Sequence, residues 1–240
     1  IKMKIILNNT DLSKTLGPFN DIGFVPTMGS IHEGHISLIK RSIQSNKKTI
    51  VSIFVNPKQF NNVKDFNSYP TNIKKDLAIL KKIKKLDFVY IPRFKDVYEN
   101  KRKSKVKIEK KYKILCAKYR KGHFEGVLDV MNRLTNLIKP KKIFMGKKDF
   151  QQLFLVKKFI ETKFNTKVIG CKTIRNKNKL ALSSRNFLFN KDELKNVERI
   201  SKSFLNLKDK IKNSRNINRF LQKSKNDLEK FFNIKIDYLE

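Results

Sequence analysis

Through residue 172 of the 240-residue chain, short, mainly apolar runs alternate with longer stretches whose apolar positions recur three and four apart. The runs at 22–26, 49–55, 88–91, 142–145 and 167–171 read as strands. Helices are predicted at 34–44, 73–83, 127–138 and 150–163. In the 73–83 helix Ile73, Leu77 and Leu80 share a face. In the 127–138 helix Val127, Val130, Met131, Leu134, Leu137 and Ile138 do. A strand apolar on both faces must be covered on both, so the alternation predicts an α/β fold, a Rossmann-like doubly wound parallel sheet.

The pattern changes near Thr173. A polar loop, "IRNKNKLALSSRNF", leads into two lysine-rich helices at 191–211 and 217–232. The closing "NIKIDYLE" alternates apolar and polar positions, as a half-buried strand does, and a lone strand needs a partner. Residues 173–240 are therefore expected to form a small α+β second domain, a lid that is incomplete at its end, beside a first domain at 1–172. The basic stretch 100–113, with Val106 and Ile108 alternating, reads as an exposed edge segment whose charge discourages aggregation.

Ligands of a doubly wound sheet bind beyond the carboxyl ends of its strands. "PTMGSIHEGH", "VNPKQF" and "GKKDFQQ" all fall at such ends. In the first, His32 and His35 stand at a helix start. There imidazole donors add to free backbone N–H groups, and Gly29 and Gly34 let the backbone approach a ligand closely. A pair of helix-start histidines with no ligand is the plain alternative. In the third, Gly146 ends a strand, Lys148 can meet phosphates, and Asp149 can cap the helix or take a ribose hydroxyl. Gln152 lies one turn on from Lys148 and Asp149 and can share their face. Gln59, just past Asn56-Pro57, reads either as a hydrogen-bond partner for a small polar acid or as a buried structural amide. In "LALSSRN", Ser183, Ser184 and Arg185 offer hydroxyls and a guanidinium to phosphate oxygens, or simply a solvated loop.

Charge adds a competing picture. The chain carries 56 lysines and arginines against 21 acidic residues, a net +35. Such a balance suggests nucleic-acid binding by counterion release. The excess is mostly lysine spread along the whole chain, tryptophan is absent, and no aromatic stacking motif of an RNA-binding module is present. Coding DNA rich in A and T accounts for that composition, and nucleic acid is not the expected partner. Tight duplex or tRNA binding at physiological salt would overturn this reading. No apolar run is long enough to cross a membrane, and the apolar stretch 5–7 is too short for a signal peptide. Cys116 and Cys171 stand alone, which fits a reduced, cytoplasmic protein.

Taken together, the segments resemble the pantoate–β-alanine ligase family, nucleotidyltransferases with a His-x-Gly-His loop. The resemblance runs from about Gly23 to Asn186, in order. It includes "PTMGSIHEGH", "SIFVNPKQF", Tyr69-Pro70, "GHFEGV", "GKKDFQQL" and "LALSSRN". It implies condensation of pantoate with β-alanine through a pantoyl adenylate, using ATP and magnesium and releasing pyrophosphate and AMP. It further implies that Met28, Gly29, Ser30, Ile31, His32, Glu33, Gly34 and His35 line the ATP site, with His35 as proton donor. Gly146, Lys147, Lys148 and Asp149 would contact ATP, with Lys148 catalytic beside His32 and His35. Ile174 would border the adenine, and Leu182, Ser183, Ser184 and Arg185 would close over the triphosphate. Gln59 and Gln152 would hold pantoate, and Asp76 would lie near magnesium. A homodimer is implied as well. The chain departs from the family pattern at Lys147, usually glutamate, and at Met145, Lys121, Thr71 and Asn178-Lys179. Another adenylyl-transferring nucleotidyltransferase, or a basic RNA-binding protein derived from the enzyme, is the alternative.

Overall fold

The computed structural model describes residues 3–98, 106–212 and 214–240. Two compact units make up the chain, Ile1–Thr173 and Ile174–Glu240. The first is built on β1 (Lys4–Ile6), β2 (Ile22–Thr27), β3 (Lys48–Ile53), β4 (Phe88–Tyr90), β5 (Lys142–Gly146) and β6 (Lys167–Cys171). Helices α1 (Asn9–Leu16), α2 (Glu33–Ser45), α3 (Val63–Asn67), α4 (Ile73–Lys81), α5 (Phe94–Tyr98), α6 (Cys116–Tyr119), α7 (His123–Ile138) and α8 (Phe150–Lys163) connect them.

The six strands form one sheet in the order β1-β4-β3-β2-β5-β6, every neighbouring pair parallel. Consecutive residues of a strand enter opposite cores. Phe24, Ile50, Tyr90 and Ile143 pack with α1, α7 and α8 on one face. Val25, Val51, Val89 and Phe144 pack with α2 and α4 on the other. Both faces are dry, which is why these strands are mainly apolar rather than alternating. From β2 the chain winds outward through β3 to β4, then returns across β2 to lay β5 and β6 on the other side. The crevice between β2 and β5 is thus the topological switch point, where such sheets hold ligands.

Three sequence expectations are corrected. Helix α7 begins at His123, a turn earlier than its apolar stripe, because Gly122 in a left-handed conformation (φ 79°) starts it. In the basic stretch, 100–105 lies outside the described residues. The remainder is no edge strand: Ile108 is buried and Val106 packs against the core. At the end of the chain, "NIKIDYLE" forms no strand among the described residues. Its apolar positions are half-buried, and the Ile236 N–H donates to the Glu229 carboxylate (2.7 Å). The alternation records a segment laid along a helix.

The second unit holds α9 (Lys191–Ile211) and α10 (Ile217–Phe232). Asn190 caps α9 reciprocally with Glu193, and Asn216 caps α10.

Candidate active site

The loop after β2 is held by the last residue of β2 and by contacts from β3 and α4. The Thr27 hydroxyl donates to the Ser52 carbonyl on β3 (2.7 Å) and accepts from the Gly29 N–H (3.2 Å). Gly29 (φ 82°) and Ser30 (φ 53°) are then both left-handed. Asp76 of α4, only 2% exposed, receives the Ser30 N–H at one carboxylate oxygen (2.9 Å) and the Ile31 N–H at the other (2.7 Å). A Cβ on Gly29 would stand 2.8 Å from that carboxylate. Gly29 thus makes room for Asp76, not for a ligand. Ile31 is buried beneath the loop and Glu33 is exposed on the first turn of α2.

His32 caps α2: its Nδ1 accepts from the Gly34 N–H (3.1 Å). The Nδ1 of His35 in turn faces the His32 N–H (3.4 Å), and the two rings lie 4.0 Å apart. The backbone N–H groups of Gly29, Ser30, Ile31, His32 and Gly34 are therefore all engaged by acceptors of the protein. The free backbone donors expected at this helix start are not among them. What the loop does offer follows from the same bonds. Both Nδ1 atoms accept, so in the neutral rings the proton sits on Nε2. Burial and then the Lys148 ammonium lower the His32 pKa. Burial, then His32 and Lys148, push His35 down to about 3. At neutral pH the pair is uncharged. Both rings can donate Nε2–H hydrogen bonds.

Lys148 comes from the turn after β5, the strand that pairs with β2 (Gly23 opposite Lys142). Its Nζ meets the Asp149 carboxylate at 2.8 Å, and Asp149 makes no capping bond to α8. Lys147, the departure from the family pattern, runs its stem along β6: its Cε would lie 3.4 Å from a Cβ on Gly170. Its charge bears on Cys171, whose thiol burial pushes up while Arg41 and Lys147 pull it down. Of the paired glutamines, Gln151 donates to the Tyr112 and Ile114 carbonyls. Gln152 makes no side-chain hydrogen bond among the described residues, which leaves its amide for a ligand.

Gln59 is 9% exposed and sits in a network that residue type alone did not reveal. Its Oε1 accepts from Asn56 Nδ2 (3.2 Å), so its Nε2 is turned toward Met28 Sδ (2.9 Å), a weak acceptor. Asn56 is held by the Tyr98 hydroxyl, which donates to its Oδ1 (2.9 Å), and by the Gly126 carbonyl (3.2 Å). His123 donates from Nδ1 to the Gln59 carbonyl (2.6 Å), while its Nε2 accepts from Arg120 (3.0 Å). That is the opposite tautomer to the pair on α2. Asn56 and His123 both lie inside quoted motifs. The signal was present in the sequence, but the partner each would find was not.

In the second unit, residues 174–188 fold against α9. Ile174 accepts from the Leu182 N–H (2.9 Å). The Glu198 carboxylate receives the amides of Asn176 (2.6 Å) and Asn178 (2.7 Å). Ser183 caps a short helical turn reciprocally with Asn186, and Ser184 is buried. Arg185 opens that turn, its N–H donating to Ser183 Oγ (3.3 Å).

A resident magnesium does not fit at Asp76, whose oxygens each hold a main-chain N–H in a nearly dry position. Among the described residues no group of three or more His, Cys, Asp or Glu could hold a metal.

A doubly wound parallel sheet with a His-x-Gly-His loop and a lysine turn on adjacent strands defines an α/β enzyme of the nucleotidyltransferase class. The profile of the Pantoate-beta-alanine ligase family matches residues 4–240. The chain belongs to that family. It is 43% identical over 98% of its length to a pantothenate synthetase of Leptospira interrogans, covering 82% of that protein. The crystal structure of pantothenate synthetase from Thermus thermophilus superposes with a TM-score of 0.88 at 29% identity, over 95% of this chain and 83% of that one. A pantoate-β-alanine ligase from Francisella tularensis, complexed with Beta-gamma ATP and Beta-alanine, superposes at 0.82 and 35% identity, over 94% of this chain and 86% of that one. No helix among the described residues is long and apolar enough to cross a membrane.

Proposed function

We infer that the chain condenses pantoate with β-alanine at the expense of ATP. The observation that carries this is the meeting, at the carboxyl ends of β2, β3 and β5, of two neutral imidazoles, a lysine and the inward-turned amide of Gln59. In the first half-reaction a pantoate carboxylate oxygen attacks the α-phosphorus of ATP and pyrophosphate leaves. In the second, the β-alanine amine attacks the carbonyl of the mixed anhydride and AMP leaves. No group of the chain need become covalently attached, because positioning supplies much of the acceleration.

The Nε2–H groups of His32 and His35 and the ammonium of Lys148 stabilise charge growing on the α-phosphate and on the departing pyrophosphate. Preorganised donors in a dry site do this without reorganising. Gln59 and Gln152 hold pantoate, the first by Nε2–H and the second by an amide with no other partner among the described residues. Gly146, Lys147 and Asp149 border the nucleotide; in the second unit, Ile174, Leu182, Ser183, Ser184 and Arg185 are assigned to ATP by the family resemblance alone. Magnesium comes with the triphosphate, since this ion keeps most of its waters and leans on phosphate oxygens. Cys116 and Cys171 form no disulfide, which supports a cytoplasmic enzyme, and the family resemblance supports a homodimer, which sedimentation would test.

The deciding experiment is exchange of labelled pyrophosphate into ATP with pantoate and magnesium but without β-alanine. Pantoate-dependent exchange is expected, followed by AMP release once β-alanine is added. No exchange from folded protein would sink the reading.

A further inference from the structure

Consecutive main-chain N–H groups that converge at a left-handed turn make a nest for an anion, and in glycine-rich nucleotide loops a phosphate occupies it. Here the nest formed by Ser30 and Ile31 is already filled. Its anion is the carboxylate of Asp76, delivered from α4, 45 residues further along the chain. The turn it closes contains two adjacent left-handed residues, one of which, Ser30, carries a side chain. Such a conformation has an intrinsic cost and persists only where the surroundings hold it. Two charge-assisted bonds at 2.9 and 2.7 Å supply that hold. The next residue is His32.

We propose that Asp76 is a positioning residue of the nucleotide site: its carboxylate fills the loop's own anion nest, closes those main-chain donors to phosphate, and so sets the two imidazoles as the phosphate-facing groups. The proposal rests on the nucleotide reading above and adds a division of labour to it. In this loop the backbone binds the protein's carboxylate, and the side chains of His32, His35 and Lys148 bind the ligand. It also accounts for Gly29, where any Cβ would press on Asp76.

The test compares Asp76→Asn, which keeps one acceptor oxygen, with Asp76→Ala, which keeps none, in the full chain. Amide hydrogen exchange at Ser30 and Ile31 and ATP affinity by calorimetry, at low and saturating magnesium, are the readouts. Expected is loss of protection at both amides in Asp76→Ala and at one in Asp76→Asn, with β2 still protected. ATP binding should weaken about tenfold or more in Asp76→Ala, and less in Asp76→Asn, at both magnesium levels. Unchanged protection in Asp76→Ala would overturn the clamp. So would tighter ATP binding, which would mean that the vacated nest accepts phosphate. A loss repaired by magnesium would make the residue a metal ligand instead. If Asp76→Ala does not fold, the single-amide effect in Asp76→Asn decides. If the unaltered chain binds no ATP, the nucleotide reading fails while the exchange data still judge the clamp.

Discussion

His123 and Gln59 are joined by a 2.6 Å hydrogen bond from an imidazole Nδ1 to a main-chain carbonyl. The bond ties the start of α7 to the short 3-10 turn Pro57–Gln59 that follows β3. Through it a histidine fixes the backbone beneath the amide proposed to hold pantoate. His123→Ala leaves that buried carbonyl unpaired. The expected result is a rise of about tenfold in the KM for pantoate, with the KM for ATP changed by no more than about twofold. Steady-state pyrophosphate exchange at varied pantoate and varied ATP would measure both. Equal effects on the two constants would count against the assignment.

Gly126 allows the same contact. A Cβ there would stand 2.2 Å from the Lys58 carbonyl oxygen and 2.9 Å from the Gln59 Cα, both main-chain atoms that cannot rotate away. Gly126→Ala should lower stability by about 1–3 kcal/mol, as overpacking does. It should also raise the pantoate KM by pushing the Pro57–Gln59 turn off α7. Denaturant unfolding of the variant beside Gly17→Ala, at an exposed helix end, separates this clash from a general glycine effect.

The histidine pair makes stability depend on acid. His35 is driven down to about 3 and His32 is also lowered, so between those values and the ordinary 6.5 the unfolded chain binds protons that the native protein does not. Stability is then full above about pH 6.5 and falls as the pH drops toward 3, by at most about 1.4 kcal/mol per pH unit for each ring. His32 is the less buried of the two and solvent screens its neighbours, so its share falls well short of that ceiling. Unfolding midpoints across pH 4–8 should show the loss, and His35→Gln should flatten it. Nitrogen chemical shifts should report both rings as Nε2–H tautomers at neutral pH, and an imidazolium signal at pH 7 would contradict the site as described.

Lys179 carries a side chain in a left-handed conformation (φ 71°), at a turn closed by the Asn176 carboxamide, which accepts the N–H groups of Asn178 (3.0 Å) and Leu180 (2.9 Å). Lys179→Gly relieves a strain of about 1 kcal/mol, partly offset by the freedom glycine gains when unfolded. A rise in the melting temperature of the 174–240 unit is expected, and a fall would show that the lysine side chain contributes more than its backbone costs.

Much of the architecture was legible in the chain. Five strands and the helices α2, α4, α7, α8, α9 and α10 were anticipated with ends shifted by a few residues, since strands buried on both faces and helices buried on one write their environment into every side chain. The three-residue strand β1 and the helix α1 were missed because too few residues carry the pattern. "NIKIDYLE" misled for the converse reason: alternation reports alternating burial, and a segment lying on a helix satisfies it without a ladder.

For the site, sequence alone pointed to residues that belong together: the two histidines at a strand end, the lysine turn after β5, and Gln59 past Asn56-Pro57. What each does was decided by the fold. Whether a main-chain N–H is free depends on what packs beneath it, and for Ser30 and Ile31 that is Asp76, from a distant helix. Which nitrogen of an imidazole keeps its proton depends on the neighbour of the other nitrogen. That neighbour is a local N–H for His32 and His35, and for His123 a carbonyl 64 residues back in the chain. Residue type defines what a group is able to donate or accept, and only tertiary contact determines which of those capacities is left for a ligand.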